Sequence, residues 1–321
     1  MTRTNKILAV IALLAIASTS VAQSYPAKPI RIVVPFPAGG IADLFGRVIG
    51  QKFTEAWGQP AVVDNRPGAG GNIGADLVAK SPPDGYTLVT GSIGTHAVNV
   101  SLFSKLPYDP IRDFAPVSPI MEAEGLLVVH PSVPVKTVKE LIALARARPG
   151  QIAYASAGHG TASHLSGELF KSMAKVDMLH VPYKGNVPAI TDLLTGQTSL
   201  LFATMPTVLP QVQAGRLKAV AVTSSSRSPA APELPTIAEA ALPGYSVTNW
   251  IGIFAPAGTP REVVARLNKE VDALLQLPEI RDAFARQGLT PVVDRPERLG
   301  ELVEQEIARW NRVVASAGIR E

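Results

Sequence analysis

Residues 30–46 read IRIVVPFPAGGIADLFG: an apolar, β-branched run, a loop of prolines and glycines, then the first turns of an amphipathic helix. Ile30–Pro35 has the length and composition of a buried strand, and Leu44, Val48, Ile49, Phe53 and Trp57 recur behind it at helical spacing. The same order returns at residues 152–170, IAYASAGHGTASHLSGELF. Between and beyond these two units, Ala61–Asp64, Tyr86–Thr90, Leu126–His130, Met178–Val181, Leu200–Ala203 and Leu217–Thr223 read as further strands, mostly separated by helical stretches. Repeated strand–helix–strand units predict an α/β fold of mostly parallel sheets flanked by helices on both faces.

Helix signals support that reading. Thr137-Val-Lys-Glu140 and Thr259-Pro-Arg-Glu262 both match a capping box, in which side chains close free backbone amides. The last helix, Pro296 to Ala315, places Leu299, Leu302, Val303, Ile307, Trp310 and Val314 on one face. Ser118–Glu124 and Ala241–Val247 are irregular and read as crossovers. They predict one domain from residues 23–121 plus 246–321, a second from 122–245, and a hinged cleft between them.

The whole chain has 321 residues, 46% of them hydrophobic and 17% charged, enough for two apolar cores. There is no cysteine, which excludes disulfides, thiol nucleophiles and thiolate metal sites. The formal charge of +4 is dispersed, with no basic cluster beside aromatics, so nucleic acid is not an expected partner. Residues 1–22 combine Arg3 and Lys6, an uncharged apolar stretch from Ile7 to Ala17, and Ser20-Val21-Ala22. This is the layout of a secretory signal peptide cut after Ala22. Its apolar run is shorter than the roughly 20 residues of a membrane-spanning helix. The expected product is exported, and does not itself span a membrane.

Ligands of open α/β sheets bind outside the carboxyl ends of the strands, so the post-strand loops matter most. Phe36-Pro37-Ala38-Gly39-Gly40 offers close backbone approach and then a helix N-terminus, a combination suited to a carboxylate or phosphate. Asp43 stands in the first turn of that helix. Ser156-Ala157-Gly158-His159-Gly160-Thr161 repeats the physics, with Ser163 and His164 behind it. Lys184 opens a third helix, against the helix dipole, which favours a ligand role for its charge. Ser92, Thr95 and His96 follow another strand. No nucleotide motif is present, no H-E-x-x-H and no carboxylate–histidine cluster at metal spacing, so no cofactor and no metal are expected. Ser92 and Ser156 lack the G-x-S-x-G setting of a hydrolase nucleophile, which leaves a hydrolase using either serine with His96, His159 or His164 as the weaker reading.

PFPAGGIADLFGR, RPGAGGNIGADLVAKSPPDGYTL, THAVN, KLPYDPIRDFAPV, YASAGHGTASHLSGELF, HVPYKGNVPAITDLLTGQ and WIGIFAPAGTP occur in that order. Together they resemble the Bug-type receptors, the periplasmic solute-binding proteins of tripartite tricarboxylate transporters, from about Tyr25 to Gly318. The resemblance implies a two-domain periplasmic binding protein of type II-like form that closes on a small organic anion and hands it to membrane permease subunits. A receptor that reports to a membrane signalling partner shares the same sequence pattern. The resemblance implies further that the loop at Phe36–Gly40 holds a ligand carboxylate through backbone amides and water, and that the loop at Ser156–Thr161 lines the cleft from the other domain. It brings Thr204-Met205-Pro206 to the ligand as well. Two departures matter. Ile41 stands where relatives carry a small or polar residue, and the acidic residue that many carry near Thr204 is missing. A mono- or dicarboxylate therefore fits better than an amino acid, whose ammonium group would want a carboxylate partner.

Overall fold

The computed structural model describes residues 25–317. The signal-peptide reading of residues 1–22 lies outside them. Eleven strands form two sheets. They are β1 (Ile30–Val34), β2 (Ala61–Asn65), β3 (Thr87–Ser92), β4 (Phe114–Ala123), β5 (Gly125–Val129), β6 (Ala153–Ser156), β7 (Leu179–Pro182), β8 (Leu200–Thr204), β9 (Lys218–Val222), β10 (Asn249–Pro256) and β11 (Leu289–Pro291). The larger sheet has the order β11-β4-β10-β3-β1-β2, and the smaller β7-β6-β8-β5-β9. Each is flanked by helices, as the apolar runs require: β8 is buried at every residue, β1 at all but one.

Parallel pairing is confined to β1 with β2 and β3, and to β6 with β7 and β8. The remaining pairs are antiparallel, so the sheets are mixed where mostly parallel ones are expected. The cause is the chain's route. Strands β1 to β4 and β6 to β9 end at the gap between the sheets. β5 and β10 each enter a sheet from that gap and must run the opposite way.

The crossing at Ser118–Glu124 is also more regular than its sequence suggests. Phe114–Ala123 is one ten-residue strand. Pro116 and Pro119, which read as breakers, pair with Phe254 and Gly252 beside the two register shifts of the β4–β10 ladder, where the missing amide costs least. Thr137 does cap its helix, accepting the Glu140 amide at 3.2 Å, but the Glu140 carboxylate reaches the Lys136 amide. The Thr259 box is absent: the helix starts at Arg261 after Pro260, and the Thr259 hydroxyl donates to the Pro256 carbonyl instead. A complete box lies at Thr236 and Glu239.

Three apolar clusters hold the described residues. One lies against the outer face of the larger sheet, one against the outer face of the smaller, and the largest joins residues of both sheets. The last helix, Pro296–Ala317, feeds the shared cluster through Leu299, Val303, Trp310 and Val314. Two separate cores were the sequence expectation; the shared cluster includes Tyr245, Val247 and Trp250 of the returning chain as well as the last helix.

Thr95 and His96 belong to this shared core. The His96 ring lies parallel to Phe254, with centroids 3.9 Å apart, and its Nδ1 is 2.9 Å from the Thr95 hydroxyl. Complete burial pushes its pKa down to about 3. The unfolded chain takes up a proton near the ordinary value of about 6.5 and the folded chain does not, so stability falls as pH drops from about 6.5 toward 3. Calorimetric melting between pH 7 and 5 should show a falling midpoint. His96→Gln, which removes this proton, should give a shallower fall than the native chain.

Candidate ligand-binding cleft

The carboxyl ends of the strands face one another across a cleft of about 810 Å³, including solvent at its mouth. The larger sheet contributes Phe36, Pro37, Ala38, Gly40, Ile41, Ala42 and Ser92. The smaller contributes Ala157, Thr161, Ala162, Ser163 and Ser166, then Gly185, Asn186, Val187 and Phe202–Thr204. Ala123, Gly125, Thr223, Val247, Asn249 and Ile251 of the crossing segments line the rest. Among the described residues, no Asp, Glu, Lys, Arg or His lines it.

Four helices begin at this cleft: Ile41–Trp57, Ala162–Ala174, Asn186–Leu194 and Met205–Gln213, preceded by Gly40, Thr161, Gly185 and Thr204. Only Thr161 caps its helix with a side chain, accepting the His164 amide. The starts after Gly40 and Gly185 leave their first amides without a side-chain acceptor, whereas after Thr204 the Met205 amide donates to the Glu124 carbonyl at 2.9 Å and Pro206 has no N–H. Converging N-termini give the cleft a positive field with no cation in it.

The first loop is braced from behind. Asp43 is buried and accepts from the Gly39 amide, from Arg47 Nε and Nη2 and from Asn65 Nδ2, each at 3.0 Å. Asn65 also donates to the Phe36 carbonyl at 3.0 Å. Burial raises the Asp43 pKa, but the hydrogen bonds from Arg47, Gly39 and Asn65 outweigh it and hold the carboxyl below its usual value. Asp43 thus shapes the loop and is not among the lining residues. Gly39 turns the chain at φ +87° and gives its amide to Asp43.

The second loop is used differently from the first. Thr161 lines the cleft, while Ser156 is fully buried with its hydroxyl 2.6 Å from His180 Nε2 and accepting the Gly158 amide. Gly158, His159 and Lys184 line a second opening, opposite Pro35–Pro37 and Pro67–Gly71. Gly160 packs against Asn99, and Met205 is buried beneath the cleft beside Gly288. Nitrogens of His159, His164 and His180 lie within 4.8 Å of one another. His164 and His180, however, stack in near-parallel planes 4.3 Å apart, so their in-plane lone pairs do not aim at a common point. His164 Nδ1 already accepts the Gly160 amide. Burial, then neighbouring positive groups, push both pKa values down to about 3 and keep the pair neutral.

Of the residues singled out from sequence, Phe36, Pro37, Ala38, Gly40, Ser92, Thr161 and Thr204 are brought together in the cleft. Sequence reasoning missed Gly185 and Asn186, choosing Lys184 one residue earlier; the signal was a glycine N-cap. It also missed Asn249 and Ile251, which share a face of β10 by the two-residue strand period. Ser166 lies four residues after Ala162, one helical turn along the same face.

Residues 45–319 match the tripartite tricarboxylate transporter family receptor, TctC. The chain belongs to this family. Its relatives include BugT of Bordetella pertussis, 40% identical over 97% of this chain and 95% of BugT. This receptor also resembles the structure of R. palustris Rpa4515 with adipate, at 41% identity and TM-score 0.89, covering 92% of this chain and 98% of that one. A third likeness is MatC (Rpa3494) from Rhodopseudomonas palustris with bound malate: 37% identity, TM-score 0.85, 90% of this chain and 100% of MatC. The receptor is therefore a two-domain α/β periplasmic binding protein in fold, Bug-type by kinship.

Asp43→Ala should remove the brace without touching the cleft wall. It leaves the Gly39 amide and Asn65 unpaired, and should lower unfolding free energy by about 1–3 kcal/mol in urea titration. Ligand affinity should fall with it.

Proposed function

We propose that this receptor is exported to the periplasm, captures a small organic carboxylate in the cleft, and delivers it to the membrane permease subunits of a tripartite transporter. The observation that carries the reading is the convergence of four helix starts on a cleft without a charged side chain. Backbone amides at such starts donate to an anion, and among the described residues no lining carboxylate is present to meet an ammonium group. Two of the similar structures hold adipate and malate, which supports the same ligand class. The Ser92 and Ser166 hydroxyls and the Asn249 amide line the cleft and make no side-chain hydrogen bond among the described residues. They suit a second polar end on the ligand, across a waist of Ile41, Phe202 and Ile251. A dicarboxylate is the preferred class.

Residues 23–121 with 246–321 and residues 122–245 are the two closing units in this reading. No helix of the described residues is long and apolar enough to cross a membrane. Catalysis by Ser156 is disfavoured by its burial: the side chain is fully buried, is not among the cleft-lining residues, and its hydroxyl accepts the Gly158 amide.

Titration calorimetry should show saturable binding of adipate or malate, with glutamate at least about tenfold weaker, or roughly 1.4 kcal/mol. Equal or tighter binding of glutamate would overturn the assignment of the cleft chemistry. Ala42→Asp places a carboxylate in the first turn of the leading helix, where it favours the helix itself. Ala42 is buried in the apolar core, so the new charge should lower the melting midpoint, and in the protein that remains folded it should cut dicarboxylate affinity about tenfold or more.

A further inference from the structure

The loop Gly158-His159-Gly160 is anion-ready in sequence but stands outside the cleft, and its contacts run instead to the other domain. A side chain on Gly70 would place its Cβ 2.5 Å from the His159 carbonyl oxygen, and one on Gly94 2.7 Å from the Gly160 carbonyl oxygen. A Cβ on Gly160 would overlap Asn99 Oδ1. A Cβ on Gly185 would lie 3.0 Å from Cγ and Cδ of Pro37. All four glycines thus face a partner from the opposite domain, at distances only a missing side chain permits.

The seam is stiffly held from the larger-sheet side. Asn99 is completely buried. Its Nδ2 donates to Asn72 Oδ1 at 2.5 Å, and Tyr108 donates to the same oxygen at 2.9 Å. Asn99 Oδ1 is buried against Gly160 with no hydrogen-bond partner. An acceptor left in that state costs free energy, and water satisfies it once the seam parts.

From this geometry we infer that Gly70, Gly94 and Asn99 on one domain and His159–Gly160 on the other form a closure latch. Backbone meets backbone there, beside the cleft but not among its lining residues. The latch sets the balance between open and closed forms of the proposed receptor, and so rests on that reading. The glycines permit closure and the unpaired Asn99 oxygen opposes it, so that ligand contacts decide the outcome. A receptor closed only part of the time binds with its intrinsic affinity reduced by that fraction.

Gly94→Ala is the discriminating variant, because Gly94 is not among the cleft-lining residues and its φ is not in the left-handed range. Its Cβ meets Gly160 only when the domains close. Small-angle scattering of the ligand-free mature chain should give a larger radius of gyration for Gly94→Ala than for the native chain. Adipate affinity of the variant should be about tenfold lower, mainly through faster dissociation. On the native chain, hydrogen exchange with saturating adipate should show protection across residues 94–102. Identical scattering of the two ligand-free chains would overturn the latch, as would adipate binding at native affinity. If Gly94→Ala does not fold, the exchange experiment decides: unchanged exchange at 94–102 under saturation overturns the proposal. Failure of adipate to bind at all refutes the dicarboxylate reading, and the ligand-free scattering comparison still judges the latch.

Discussion

Among the described residues no charged side chain lines the cleft, so its polarity comes from hydroxyls, amides and the open ends of helices. That constraint explains much of the architecture around it. The first turn of a helix leaves backbone amides without intrahelical partners, and here strands end and helices begin at the gap. Two of the four caps are glycines, Gly40 and Gly185, which bring backbone rather than side chain to the surface. The chain's route then fixes strand direction. Strands that deliver a helix end at the cleft, and the strands that carry the chain across it run the other way.

A site built from backbone needs its loops held in place, and the charges absent from the cleft are found behind it. Asp43, Arg47 and Asn65 fasten the first loop through Gly39 and Phe36. The Asp43 charge is neutralised by Arg47 and does not reach the ligand side. The second loop is fastened by hydroxyls: Thr161 donates to the Gly158 carbonyl at 2.6 Å, and Ser163 accepts the Ala157 amide at 2.8 Å. Beneath it the stacked His164 and His180 fill space as neutral rings. The same loop that closes one side of the cleft thereby presents the backbone of Gly158–Gly160 to the opposite domain.

The strand–glycine–helix units were legible because each is a local pattern: an apolar run of strand length, residues with unusual backbone freedom, then a helical period. Phe36–Gly40 and Thr161 could be read from that pattern alone, whereas Thr204 came from the family resemblance. Gly185 lay in a recognised loop, but the charge of Lys184 drew attention from the uncapped helix start beside it. Pro116 and Pro119 hid β4, since a proline's tolerance in a ladder depends on the partner strand, and β10 lies more than a hundred residues away in the chain.

Order along the chain determined the fold class, the family and the two loops that face each other. Which polar residues line the cleft was decided only on folding. His96, His164, Thr95 and Ser156 are chemically able to bind, and burial against Phe254, His180 and their own loops removed them from the cleft. Asn249, Ile251 and Thr223 carry no signal in sequence, and the returning crossover placed them on the cleft wall. Local sequence sets backbone conformation through steric and hydrogen-bonding preferences that act over a few residues. Burial and the contacts across the cleft depend on which distant segments pack together, and that is settled by the tertiary fold.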